Sequence, residues 1–343
     1  MKKNLLLIFG LFFGTVLIAV WLRFVDTDKM ALYLREINIP LIAASALCYL
    51  ATIVLRSLRW SVILKQVVDV KFITILSLFC AGNLSNYIFS MHSGELAKSI
   101  ILKRATGARI SKTLPTILIS KTMDLFPILF ILVVTPFIPN FRLNSTIVSL
   151  LFTISAIFLL LIGILFFSTA KKQLVIQALQ KPILLFPKKI RSAIFGFIER
   201  FVLGISVAKE GRFVIGKMVI LTLVTLFLEG LYLYFAFLAF GYPIPFITAI
   251  YSYAFINLSF AIPQPPGQLG SQEFVALLVL SFGFGLEANL VGALVAFSHV
   301  MSGFLIVVLG LIGFGFIGIR LADFLSFNPA KNSGFEHNKT TLE

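Results

Sequence analysis

Apolar runs of membrane-spanning length recur along this chain, and they limit what it can fold into more than any other feature. About 20 consecutive apolar residues cross the ~30 Å hydrocarbon layer as a helix, and a run of 18 or more with few charges is read as such a span. Of 343 residues, 59% are hydrophobic and 13% charged, against ~45–50% and ~25% in a soluble domain. A water-soluble core of this composition would leave too much apolar surface exposed. The fold class is therefore an all-α polytopic membrane protein.

The connections between runs sort by charge. Lys2 and Lys3 precede the run 5–22, which ends in no small-residue cleavage site and reads as the first span. The stretch 23–36 balances Arg23, Lys29 and Arg35 against Asp26, Asp28 and Glu36, which suits the outside. Span 39–55 exits into Arg56, Arg59 and Trp60, then Lys65 and Lys71, which suits the inside with an aromatic at the interface. Spans 113–137 and 146–167 flank a short loop with Arg142. The connection 168–217 gathers ten lysines and arginines against Glu199 and Glu210 and is expected in the cytoplasm. In it Ile190, Ile194, Phe197, Phe201 and Ile205 recur at helical spacing; a helix in the interface plane and a packed linker helix both fit. Spans 218–240 and 288–319 follow, and a polar tail, 321–343, is expected to be disordered.

Two apolar segments break this pattern. If 72–89 crossed, the cluster Lys98, Lys103, Arg104, Arg109 and Lys112 would be stranded outside. If it dips in and returns to the same side, the conflict vanishes. The polar residues from Gly82 to Asn86 then lie at depth, where irregular backbone is tolerated only inside protein or beside a wet cavity. The segment 246–262 is likewise broken, by Pro263 to Gly270, and resumes to 285 with a limb too short to cross. We read it as a hairpin entered from outside. The expected architecture is about six full transmembrane helices plus two re-entrant helical hairpins. Repeat one covers about 5–137 and repeat two about 146–319. Together they form one integral membrane domain over 1–320, with both termini in the cytoplasm. Three crossings per half give the halves inverted topology. Eight plain crossings also return both termini inside, but leave the basic cluster outside. Paired interruptions of this kind point to a binding site between the halves.

The net charge is +15. Basic cytoplasmic loops account for it, with attraction to anionic lipid headgroups as a consequence and no nucleic acid implied. Cys48 and Cys80 lie in apolar runs and suit packing. His92, His299 and His337 are scattered, and no metal-ligand spacing, catalytic triad, P-loop or dinucleotide fingerprint is present, so no metal or cofactor is expected. The glycines from Gly313 to Gly318 sit in a span and suit close helix packing. Glu95 and Glu273 each follow a glycine-bearing break, at Gly94 and Gly270, where backbone can approach a ligand closely. Lys98 is three residues past Glu95, and Arg104 about two turns on. Lys121 and Asp124 are one turn apart, as phosphate and cation contacts or as an ion pair with each other. Glu229 lies mid-span on one face with Thr222 and Thr225; a carboxylate there faces a cavity or a partner, or is protonated. His299, beside Ser298 and Ser302, suits an interhelix hydrogen bond.

The broken segments carry a resemblance. Asn83 or Asn86 leads into Ser90-Met-His92-Ser-Gly94-Glu95-Leu-Ala-Lys98; Ser120-Lys121-Thr-Met-Asp124 follows; Pro266-Gly267-Gln268-Leu-Gly270-Ser-Gln-Glu273 stands late in the chain. The set resembles the flippase-like, or lysylphosphatidylglycerol synthase transmembrane region, family. Its pattern runs from an Asn to Pro-x-Arg-x-Gly-Glu-x-x-Arg, then Glu-Arg-x-x-Asp, then Pro-Gly-Gly-x-Gly-x-x-Glu. Here Ser90, His92, Lys98, Ser120 and Gln268 depart from it, and Lys lacks the two-point grip of Arg on phosphate. Two-domain members add a cytosolic aminoacyltransferase domain, for which no segment here has room. The resemblance thus implies lipid translocation and not lipid synthesis.

The expected function is a transporter in the cytoplasmic membrane, and not an enzyme, that moves a phospholipid or isoprenoid-linked lipid between leaflets. Its polar headgroup cavity is drawn from Asn83, Asn86, His92, Gly94, Glu95, Lys98, Arg104, Lys121, Asp124, Glu229, Pro266, Gly267, Gly270 and Glu273. Two alternatives stand beside it. One is a membrane enzyme on a lipid-linked phosphate or sugar, with Glu95 or Asp124 as general base. The other is a non-catalytic partner of a separate transferase.

Overall fold

A computed structural model describes residues 2–88, 93–127, 130–131, 153, 212–258 and 265–318. The expected span 146–167, most of the basic connection, the tail and His92 lie outside the described residues. Among those residues all regular structure is helical: α1 (Lys2–Trp21), α2 (Thr27–Arg35), α3 (Ile39–Leu64), α4 (Phe72–Ile88), α5 (Ser93–Thr106), α6 (Ile110–Thr122), α7 (Arg212–Ala239), α8 (Phe246–Leu258), α9 (Ser271–Ala276) and α10 (Ala288–Ile317). Among the described residues three segments are long and apolar enough to cross a membrane, Ile39–Leu64, Phe213–Ala239 and Ala288–Ile317. Shorter apolar helices occupy Phe12–Trp21, Phe72–Ile88 and Phe246–Asn257.

Local chemistry sets the helix ends. Asp26 caps α2 by accepting from the Asp28 and Lys29 amides. Asn38 caps α3 through the Leu41 amide, with Pro40 in the first turn, where a missing N–H costs nothing. Glu287 caps α10, which stops at Gly318 in a left-handed conformation. One boundary differs from expectation. α3 does not end at 55 but continues to Leu64, so Arg56 and Arg59 are helical residues within the fold and not loop residues at an interface. Linear charge suggested an exit; carboxylates from other helices neutralise both guanidiniums and let the helix run on.

Two antiparallel helix pairs frame the molecule. α3 runs against α7: the Asn38 amide donates to the Ala239 carbonyl, Ser45 to the Tyr232 carbonyl, and Arg59 to Thr222. α4 runs against α10 through small residues. A Cβ at Gly313 would sit 2.5 Å from the Ser77 carbonyl oxygen, at Gly310 2.3 Å from Leu84 Cβ, and at Gly303 2.5 Å from the Tyr87 hydroxyl. This is close packing of backbones, which lipid-embedded helices use in place of a hydrophobic driving force. The outer face of α10 carries exposed Val300, Phe304, Val307 and Leu311 at helical spacing. Its inner face holds Ser298, His299, Ser302, Gly303, Gly310 and Gly313. The exposed face is apolar, as lipid surroundings require, and the polar residues lie on the buried face beside Leu294 and Phe314.

In the first broken segment α4 stays helical through Gly82 and Asn86, where irregular backbone was expected, because its helix packs closely on α10, and it also packs on α5. After α8 comes a 3₁₀ turn, Pro266–Gln268, with positive φ at Gly267, Gln268 and Gly270, then α9 and a π-helical turn, Leu277–Gly283. The 3₁₀ turn packs against α4 and α1, so the second break abuts the helix that leads into the first.

The glycine contacts make a paired test. Gly313→Ala meets backbone on α4 and is expected to lose about 1–3 kcal/mol. Gly315→Ala, with nothing within 4 Å of the new Cβ, is expected to lose nothing. Thermal unfolding in detergent, followed by circular dichroism, reads the difference. At the α10 cap, burial pushes the Glu287 carboxyl up. The Leu290 and Asn289 amides, the Tyr33 hydroxyl and the Asn289 side chain outweigh that and hold it below the usual range. Its contribution is therefore present above the unfolded value of ~4.3 and is lost as pH falls through the lower folded value. Glu287→Ala is expected to lower the melting temperature at neutral pH, with the gap closing in acid.

Candidate functional site

A cavity of about 210 Å³ lies among α3, α4, α5, α6, α7, α8, α10 and the second break. α3 presents Tyr49, Arg56 and Arg59 to it, spaced so that they share one face. Arg59 is 2% exposed. It forms an ion pair with Asp124, just past the end of α6, and its Nη1 donates to Thr222 Oγ1 of α7 at 3.1 Å. Arg56 pairs with Glu229 of α7 and has Nε 4.0 Å from Asp124 Oδ1. Glu229, 2% exposed, also accepts from Asn257 Nδ2 of α8 at 3.1 Å. A carboxylate at this depth is costly unless partnered, and here it has a cation and an amide.

Helices α4 and α5 supply the opposite wall. Asn83 and Asn86 lie on the cavity face of α4 with Phe79. Glu95, in the first turn of α5, accepts from Lys121 Nζ at 2.7 Å and Asn86 Nδ2 at 3.1 Å. Lys98, one turn later, donates to Asn83 Oδ1 at 3.4 Å and sits 4.2 Å from the Phe79 ring centroid. Gly82 makes room for it, since a Cβ there would lie 2.3 Å from Lys98 Cε. Among the described residues Lys98 has no carboxylate within 4 Å. Among the described residues, four cations, Arg56, Arg59, Lys98 and Lys121, thus meet three carboxylates, Glu95, Asp124 and Glu229, which leaves one positive charge over.

The second break contributes neutral amides, Gln268 and Gln272. Glu273 does not line the cavity. It is buried against α10, where it contacts His299 Nδ1, and His299 Nε2 lies 2.8 Å from the Gly267 carbonyl. Gly270 serves packing: a Cβ would sit 2.5 Å from the Gly14 carbonyl of α1. Pro266 opens the 3₁₀ turn.

Of the residues expected at the site, Asn83, Asn86, Glu95, Lys98, Lys121 and Asp124 line the cavity, and Glu229 stands behind Arg56. Gly94 is in the first turn of α5. Arg104 is exposed in the last turn of α5 and does not line it. Lys121 and Asp124 do not pair with each other, because each has a better partner on another element. Sequence reasoning missed Arg56, Arg59, Asn257, Gln272 and the tyrosines Tyr49, Tyr232 and Tyr253. One signal existed. Glu229 at mid-span demanded a cation, and Arg56 and Arg59 interrupt an apolar run that resumes to Leu64.

Residues 7–310 match the lysylphosphatidylglycerol synthase TM region family. The chain belongs to that family. A UPF0104 membrane protein of Methanothermobacter thermautotrophicus is 27% identical over 289 residues, covering 79% of this chain and 82% of that protein. No solved structure matches. Membership makes the chain an integral membrane protein of a family named for lipid synthases. It also gives Gln268 a context. The family pattern places glycine there, and the backbone explains why: φ is 58°, a conformation that glycine adopts freely and glutamine does not.

The Arg56–Glu229 pair yields a coupled prediction. Arg56→Met or Glu229→Leu alone leaves a charge at depth and is expected to destabilise by about 3 kcal/mol or more. The double variant is expected to recover most of that loss, giving a positive coupling in a double-mutant cycle of melting temperatures.

Proposed function

We propose that this protein is a lipid translocase of the cytoplasmic membrane. It passes the phosphate-bearing headgroup of a phospholipid or isoprenoid-linked lipid through the cavity while the tails stay in lipid. The observation that carries this reading is the surplus of positive charge among the described residues of a cavity to which both broken segments contribute. Lys98 and Lys121, with Arg59 behind them, compensate the phosphate. Glu95, Asp124 and Glu229 hold the cations in place and keep the empty cavity tolerable at depth. In this reading the breaks at Gly94–Glu95 and Gly270–Glu273 are tips of re-entrant hairpins in inverted repeats, with six crossings and both termini in the cytoplasm. The driving force is an ion gradient or the membrane potential, worth ~2.3 kcal/mol per charge per 100 mV.

Lys98 is a point-charge contact and not a fork, and losing a charge-assisted hydrogen bond costs about 1.5–3 kcal/mol. Reconstituted in liposomes, Lys98→Met is expected to exchange a headgroup-labelled anionic phospholipid between leaflets at least tenfold more slowly than the native chain, with an unchanged melting temperature. Native-rate exchange in the variant defeats the site. Native protein that moves neither anionic phospholipids nor isoprenoid phosphates faster than protein-free vesicles defeats the function.

A further inference from the structure

The contact between Glu273 and His299 lies outside the cavity, and the headgroup reading makes no use of it. Both ring nitrogens of His299 face acceptors. The Gly267 carbonyl at Nε2 can only accept, so Nε2 carries a hydrogen. With that hydrogen in place, a neutral imidazole has only a lone pair at Nδ1, and an ionised carboxylate has only lone pairs at Oε1. The hydrogen-bond contact between these two atoms therefore holds one further proton, whichever atom bears it.

The surroundings make that proton matter. His299 is 4% and Glu273 8% exposed. Glu273 Oε2 is buried and accepts no hydrogen bond from the described residues, so a carboxylate that lost the proton would be uncompensated. Among the described residues no lysine, arginine or second carboxylate lies within 4 Å of the pair. From α4, Tyr87 meets the imidazole edge-on at 6.3 Å. On α10, Ser302 turns its hydroxyl to the His299 carbonyl, and Ser298 lies one residue before the histidine. From α1, Gly14, Leu17 and Ile18 meet Gly270.

The pair touches the cavity at three removes of a single step. Gly267 precedes Gln268, Glu273 follows Gln272, and Ser302 is one turn from His299; Gln268, Gln272 and Ser302 all line the cavity. Gln268 also holds a left-handed backbone that its side chain disfavours, so the tip is strained in the form the pair clasps.

The geometry points to a proton-binding site at His299 and Glu273, whose occupancy closes the second tip over the cavity and whose emptying opens it. On opening, the shared proton leaves to water. The imidazole keeps its Nε2 hydrogen, the carboxylate is ionised, and two sets of lone pairs oppose each other, so the contact is lost. Proton movement is thereby coupled to headgroup passage. This coupling rests on the lipid translocation proposed above, whereas the clasp itself does not.

Two measurements separate them. Ser271, 7% exposed at the tip, becomes a reporter as Ser271→Cys in a background with Cys48→Ser and Cys80→Ser. In detergent, its modification by a polar maleimide is expected to accelerate from about pH 6 to about pH 9. That gain should exceed by at least tenfold the gain in the same background with Glu273→Gln, whose amide stays in neutral contact with His299 throughout. The rise common to both reports the thiolate alone, and parallel profiles overturn the clasp. In proteoliposomes with the potential clamped, a gradient of one pH unit is expected to distribute labelled lipid about tenfold between leaflets, for one proton per headgroup. Exchange that proceeds with no such asymmetry overturns the coupling and leaves translocation standing. Absent exchange strikes translocation, and the maleimide profiles still decide the clasp.

Discussion

Charge at membrane depth has to be matched by charge, and much of this structure follows from that requirement. An unpaired ionised side chain at the centre of a spanning helix costs at least ~2.5–3.5 kcal/mol on insertion scales. Arg56, Arg59, Glu95, Asp124, Lys121 and Glu229 all find partners on other helices. Because those partners come from α3, α5, α6 and α7, the ion pairs also fix how these helices sit. Arg59 at Thr222 and Arg56 at Glu229 set the register of α3 against α7, which one-sided apolar packing in lipid would leave loose. Such networks contribute less through net stability than through the arrangements they forbid, since removing one partner strands the other.

The α4–α10 pair uses a different device. Its contact surface has little charge and depends on the absence of side chains at Gly303, Gly310 and Gly313. The molecule thus has one helix pair held by charge and one by shape, and the cavity lies between them. Asn83 and Asn86 reach it from α4, and Ser302 and Ile306 reach it from α10. A backbone-to-backbone seam is unforgiving of displacement, which keeps the amides of α4 at fixed distance from the cations opposite.

What could be read from sequence divides along physical lines. Apolar run length, broken segments and the carboxylates after them are local properties, and they located Glu95, Lys98, Asn83 and Asn86. Pairing is not local. Lys121 and Asp124 stand one turn apart and invite each other on paper, yet α6 gives way to a 3₁₀ turn at Met123–Leu125 and each residue meets a different helix. Arg56 and Arg59 look like the basic end of a span because the carboxylates that neutralise them lie 65 to 173 positions away. Glu273 looks like the counterpart of Glu95. One residue is about 100° of helix, and that turn places Gln272 at the cavity and Glu273 against His299.

That last difference makes the two breaks unequal in kind. The first presents charge, with Glu95 fixed by Lys121 and Asn86, and Lys98 held by an amide and a ring. The second presents neutral amides on a backbone with three positive φ angles in four residues, and turns its one carboxylate inward to a histidine. A wall that carries the counter-charge for a ligand gains from rigidity, because a displaced cation at depth loses its compensation. A wall without charge can move without that cost. If one side of this cavity yields to let a headgroup pass, the energetics assign the motion to the segment from Pro266 to Glu273 and the fixed grip to Asn83, Asn86, Glu95 and Lys98.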